Sequence, residues 1–269
     1  MQVDVDNIAY SRQIDATTIK RSGQRSEDKH NVLRESTVDV YINNVQAMRI
    51  TCTPTNVYEL VVGRLYSEGY ISSINDIKKL DFAGDLFEVN ILLIREDAPE
   101  DKSQAHLIAT TGGSGEVRRR YAFNEKTYAA YGPVSWDKKT IFNLYDSFAL
   151  DTPLHSLTKG THSCRLAVDG ELVFIAEDIG RHNTIDKAVG YALMHNIDIN
   201  RTIFFCSGRL PVDMVSKAIR ARIPILASKA APTDQAVVLA QKYGLTLICL
   251  VNDEQLVVFS GVDFESETS

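Results

Sequence analysis

No two of the four cysteines, Cys52, Cys164, Cys206 and Cys249, stand close enough in the chain to make a CxxC pair or the spacing of a zinc finger. All four fall in segments that read as strands, so they are expected to be buried thiols of a reducing compartment. The sequence also lacks any apolar run near the roughly 20 residues that cross a bilayer. Its first residues show no basic segment followed by an apolar one, so no secretory leader is expected and the cytoplasm is the expected location. An excess of positive charge is missing as well. With 29 Lys and Arg against 35 Asp and Glu the net charge is −6, which argues against a general nucleic-acid binder. Internal repeats and low-complexity tracts are absent.

What is present fits two modest domains. The chain has 269 residues, 44% of them hydrophobic and 24% charged, enough for two cores. Residues 1–34 are polar, with a basic Lys20-Arg21 pair, and read as an extended arm with little structure of its own. Residues 35–135 read as a small α+β domain. Val38, Val40 and Ile42 alternate with polar residues as in a half-buried strand, and Asn43-Asn44 turns the chain into a second strand over 46–52. Thr53-Pro54 reads as a cap and first helical position, leading a helix that stops at Gly69. A strand over 87–94 follows. Residues 95–135, REDAPEDKSQ and then ATTGGSGEVRRRYAF, read as a long mobile connection of the kind that often carries function.

Residues 136–261 are more regular. A helix is expected over 136–148 with Ser135 as its cap, then a hairpin turning at Asp169-Gly170. Helices and short apolar strands then alternate, so the order from the hairpin is β-β-α-β-α-β-α-β-β, an α/β sheet layered with helices. The tail 262–269 is expected to be disordered.

Each of the three helices after the hairpin begins at a polar strand-to-helix junction. The first junction holds Gly180, Arg181, His182 and Asn183, the second Ser207, Gly208 and Arg209, and the third Ser228 and Lys229 leading to Pro232 and Thr233. Helix starts offer free backbone N–H groups and partial positive charge, and glycines admit close backbone approach. Open α/β sheets bind ligands at the carboxyl ends of their strands. The set points to an anion site, most simply for phosphate. Alone, each junction has a bland reading, with Asp178 and Asn183 as caps and Arg181 paired to Glu177 or Asp186.

EDIGRHNTIDK at 177–187, SGR at 207–209 and APTDQAVVLA at 231–240, in that order, resemble the signature of the FdhD/NarQ family. VYINNVQAMRITCTPTNVYELVVGRLYSEGYI resembles that family's strand-strand-helix opening, so the resemblance covers about residues 35–260. It implies a cytidine-deaminase-like layer sandwich in the second half. It also implies a sulfur carrier that takes sulfur from a cysteine desulfurase and delivers it to bis-molybdopterin guanine dinucleotide, the cofactor of formate dehydrogenase. Formate dehydrogenase and the desulfurase are then the expected partners, and a homodimer the expected assembly. To the junction residues the resemblance adds Thr158, His162 and the segment Leu250, Val251, Asn252, Asp253, Glu254 and Gln255 as cofactor contacts.

The chain departs from that pattern in three places. The family's mid-chain SSCGxCG, whose cysteine carries the persulfide, reads ATTGGSG here, with Thr111 and Ser114 at the cysteine positions. A hydroxyl cannot take the place of a thiolate in a persulfide. Lys159 stands where the family's TGGxH has glycine, and Asn252 where a basic residue is often found. Two readings follow: sulfur transfer, or a cofactor-binding chaperone that has lost it. A zinc deaminase is set aside, because that chemistry needs His- or Cys-x-Glu and Pro-Cys-x-x-Cys. The corresponding helix starts here read His182-Asn183-Thr184 and Ser207-Gly208-Arg209-Leu210, and no zinc is expected.

Overall fold

A computed structural model describes residues 10–83, 87–94, 134–150 and 152–261. Thr111, Ser114, most of the glycine-rich connection and the tail 262–269 lie outside the described residues.

The polar start is not an unstructured arm. β1 (Ser11–Ile19) and β2 (Arg25–Leu33) pair antiparallel, with Ser11 opposite Leu33 and Ile19 opposite Arg25. Their turn uses Gly23 at φ 86°, a left-handed backbone that glycine adopts freely. The sequence concealed this ribbon because both its faces are largely solvated, so no apolar alternation marks it.

The first globular unit is a four-stranded sheet in the order β4-β3-β6-β5, from β3 (Ser36–Ile42), β4 (Val45–Cys52), β5 (Ile77–Ala83) and β6 (Glu88–Leu93). The alternation in β3 buries Val38, Val40 and Ile42 against α1 (Val57–Ser67), whose Leu60, Val61 and Leu65 face the same core. The strand β5 escapes a sequence reading because it is an edge strand with charged, exposed positions. The expected cap is also corrected. α1 starts at Val57 after a left-handed Asn56, and Thr53 instead bonds to the second unit.

The second unit is a six-stranded sheet, β12-β11-β10-β9-β7-β8, formed by β7 (His162–Val168), β8 (Glu171–Asp178), β9 (Thr202–Cys206), β10 (Ile225–Ser228), β11 (Thr246–Cys249) and β12 (Val257–Ser260). β9, β10 and β11 run parallel, and the others pair antiparallel. α4 (Arg181–Met194), α5 (Val212–Arg220) and α6 (Asp234–Tyr243) cover one face. The expected β-β-α-β-α-β-α-β-β order is observed. α2 (Lys138–Leu150) covers the other face, so Phe204 and Phe205 point into different cores. Asp137, not Ser135, caps α2, its carboxylate accepting from the backbone and hydroxyl of Thr140. A short helix, α3 (Pro153–Thr158), precedes β7.

The two units meet along α1 and α4. A Cβ on Gly63 would lie 1.9 Å from the Asp186 carbonyl oxygen, and one on Gly190 would lie 1.9 Å from that of Glu59. Only glycine at both positions lets the backbones approach this closely. The seam also buries charge. Asp186 pairs with Arg64 and Lys217, each at 2.7 Å, and accepts from the Ser67 hydroxyl at 2.8 Å. Removing one member would leave an uncompensated buried charge.

Candidate cofactor site at the strand ends

The first junction is built on Asp178, the last residue of β8. Its Oδ1 accepts from the Gly180 N–H and from Asn183 Nδ2, both at 2.8 Å. Its Oδ2 accepts from the Thr53 N–H at 3.1 Å and pairs with the fully buried Lys187 at 2.7 Å. Asn183 also donates to the Thr51 carbonyl and accepts from Arg64. Asn183 is therefore turned into the protein rather than toward a ligand. Gly180 packs on it, with 3.0 Å between a hypothetical Cβ and Asn183 Nδ2.

Arg181 and His182 begin α4 and stay partly open. His182 Nε2 lies 2.9 Å from Asp213 Oδ2 on α5, and the Arg181 guanidinium lies 3.9 Å from the same oxygen. The expected pairing of Arg181 with Glu177 or Asp186 is thus corrected. Glu177 accepts instead from the backbone of Leu154 and His155 and from Thr161. Arg181 Nε is buried and has no hydrogen-bond partner among the described residues. The hydrogen bond from His182 brings the Asp213 carboxyl down to about 2. Burial lowers the pKa of His182 against the opposing pull of that carboxylate, so a neutral ring donates to Asp213. Burial, then the charge of Arg181, lowers His162 too.

The second junction sits against the first. A Cβ on Gly208 would lie 3.1 Å from His162 Nδ1 and 3.8 Å from the Arg181 Cβ, so a larger residue there would crowd both. Ser207 donates its N–H to the Ser163 carbonyl, and its Oγ accepts from the Ser163 N–H, both at 2.9 Å. Arg209 is exposed, and no ion pair forms on it among the described residues. Ser228 joins this junction to the third, donating to the Gly208 carbonyl at 2.7 Å and accepting from the Ala230 N–H. Lys229 lies 4.6 Å from the Phe148 ring centre, and the fully buried Arg165 lies 3.5 Å from it. The Leu250–Gln255 segment joins there, through Leu250 N–H to the Ala230 carbonyl and Val251 N–H to the Ser228 carbonyl. Val251 is buried in the core, and Asn252 Oδ1 accepts from the backbones of Glu254 and Gln255 in a tight turn. Thr233 donates its N–H to the Leu210 carbonyl.

Most of the candidate residues thus come together at one end of the sheet. His162, Arg181, His182, Ser207 and Gly208 form one group, and Lys229 with the 250–255 turn forms a second beside it. Thr158 lies at the end of α3, its hydroxyl donating to the Leu154 carbonyl and accepting from the Gly160 N–H, a structural position. The sequence reading missed Asp213, Ser163 and Arg165. Asp213 is four residues beyond Arg209, on a helix start whose neighbour only the fold reveals. Among the described residues no group of three His, Cys, Asp or Glu side chains converges as a metal set. A groove of about 880 Å³ lined by Pro54, Tyr58, Leu172 and Phe174 lies elsewhere, and none of the predicted contacts lines it.

An α/β protein with glycine-bearing, basic junctions at the carboxyl ends of parallel strands has the form of an anion-binding protein. The FdhD/NarQ family model matches residues 33–264. Curated relatives named sulfur carrier protein FdhD include one from Geobacillus kaustophilus, 29% identical over 244 residues, which are 89% of this chain and 92% of the relative. Another, from Sulfurisphaera tokodaii, is 33% identical over 210 residues, 77% of this chain and 80% of the relative. A solved structure described as a formate dehydrogenase accessory protein from Desulfotalea psychrophila is similar in fold. Its TM-score is 0.75 at 23% identity, covering 94% of this chain and 98% of that one. The chain belongs to the FdhD/NarQ family.

Proposed function

We propose that this protein serves the maturation of formate dehydrogenase in the cytoplasm by holding bis-molybdopterin guanine dinucleotide at the strand-end junctions. The observation that carries the reading is the buried, unbonded Nε of Arg181 beside the close-packed Gly208. A buried donor without an acceptor costs free energy, and an anionic group of the cofactor would supply the acceptor. Arg181, Arg209 and Lys229 would hold phosphate oxygens, and Ser207 and the Gly208 backbone would allow close approach. The cofactor supplies the molybdenum chemistry when bound, and this chain binds and orients it. The antiparallel hairpin leading into parallel strands, with helices begun at their ends, supports the cytidine-deaminase-like reading of the layer sandwich.

The relatives' name makes them sulfur carriers, with a cysteine desulfurase as donor and formate dehydrogenase as recipient by family resemblance. A second reading, cofactor holding without a persulfide of its own, is favoured here by the thiols. All four cysteines are buried. Burial pushes Cys52 and Cys249 up to about 12 and raises Cys164 as well, the reverse of what a sulfur nucleophile needs. Thr111 and Ser114 hold the loop positions. The test is complementation of a strain lacking its own accessory protein. Restored formate dehydrogenase activity supports the maturation role, and no restoration by soluble protein contradicts it.

A further inference from the structure

The β1–β2 ribbon is an isolated pair of nine-residue strands. It extends about 30 Å at the usual rise per residue. It is tied down only near its root, where the Arg34 N–H bonds to the Tyr10 carbonyl and Leu33 closes over Gly160. A two-stranded ribbon alone in water is marginally stable and gains most from a surface that covers it.

Two features of the ribbon say what that surface is like. The register places Ile14 and Val32 on the same face, diagonal to each other, and they are 48% and 47% exposed. The tip carries Lys20, Arg21 and Arg25, all exposed. A complementary surface exists on this same chain. β8 is an edge strand of the six-stranded sheet, with Leu172 and Val173 exposed at 40% and 38%. They line the 880 Å³ groove with Pro54, Tyr58 and Phe174. Glu59 stands in that groove, and the exposed Glu171 opens the strand. An open apolar edge is a ready site for an added strand.

We propose that the ribbon of one copy lies in the β8 groove of a second copy. Ile14 and Val32 meet its apolar floor, and Lys20, Arg21 and Arg25 meet its acidic rim. The second copy is favoured because both halves of the match, basic tip with apolar pair and acidic rim with apolar floor, are on one chain. The two-fold arrangement uses each surface once per protomer.

Sedimentation equilibrium of the full chain through the micromolar range tests this, with circular dichroism to show that each variant is folded. The wild type is expected to be a dimer that salt weakens. K20E/R21E/R25E is expected to weaken dimerisation by about tenfold or more, and E59K/E171K likewise, while combining all five changes restores it. I14N/V32N is expected to be monomeric. A monomeric wild type would overturn the proposal, including the case in which the ribbon instead binds an acidic protein of another kind. An unchanged dimer in the ribbon variants, or failure of the combined variant to recover, would overturn it equally.

Discussion

His182 at the start of α4 and Asp213 at the start of α5 are joined by a hydrogen bond of 2.9 Å, so the first two junctions of the site are held in one geometry. Asp213→Asn keeps a polar partner and removes the charge. Because the pair is partly open to solvent, the loss of stability should be modest, about 1 kcal/mol. Urea unfolding of both proteins measures it, and an equal midpoint would show that the bond contributes nothing.

The same site sets a pH dependence. His162 and His182 are held below the ordinary value of 6.5 by burial. As pH falls through 6.5 the unfolded chain takes up protons first, so the stability of the neutral rings is present above that pH and lost below it. Asp213, held at about 2, acts in a lower window. Its contribution is present above 3.8 and lost as pH falls toward 2. Thermal unfolding at pH 7.5 and 5.5 should show the lower Tm at 5.5, and replacing both histidines with asparagine should flatten the difference.

Arg209 is the exposed cation of the second junction. Arg209→Ala should reduce the affinity for GDP by about 1.5–3 kcal/mol, the worth of a charge-assisted phosphate contact, with the fold unchanged. Calorimetry gives the answer directly, and equal affinities would remove Arg209 from the site.

Lys159 caps α3 with a left-handed backbone, φ 56°. This explains why glycine suits the position in the family pattern it resembles. Lys159→Gly should stabilise the protein by about 0.5–1 kcal/mol, since the strain relieved exceeds the entropy added to the unfolded chain. A destabilised variant would show that the lysine side chain has a packing role.

Zinc should be absent from the purified protein, because the junctions hold His182-Asn183-Thr184 and Ser207-Gly208-Arg209-Leu210 in place of a metal-binding set. Elemental analysis finding about one zinc per chain would reverse this expectation and return the hydrolase reading.

Much of the second unit was legible from local signals. Asp169-Gly170 announced its hairpin, and the spacing of Ile185, Ala188, Val189 and Ala192 announced α4. The ribbon was not, because solvent on both faces removes the alternation that reveals a strand. Thr53 and Asn183 misled for a different reason. Both look like local caps or contacts, yet each is committed to a partner more than 100 residues away, Thr53 to Asp178 and Asn183 to Arg64. The junctions were visible as residue types, but only the fold shows that Gly208 packs on His162 and that Asp213 holds His182.

The central claim is that this chain acts by holding the cofactor and not by carrying sulfur on a thiol. The most direct measurement replaces all four cysteines with serine and asks whether the folded variant still rescues formate dehydrogenase in a strain lacking its accessory protein. In parallel, the wild type is incubated with a cysteine desulfurase and labelled cysteine. The account predicts rescue equal to wild type and no label on the protein. Loss of rescue by a folded variant, together with label mapped to Cys52, Cys164, Cys206 or Cys249, would contradict it.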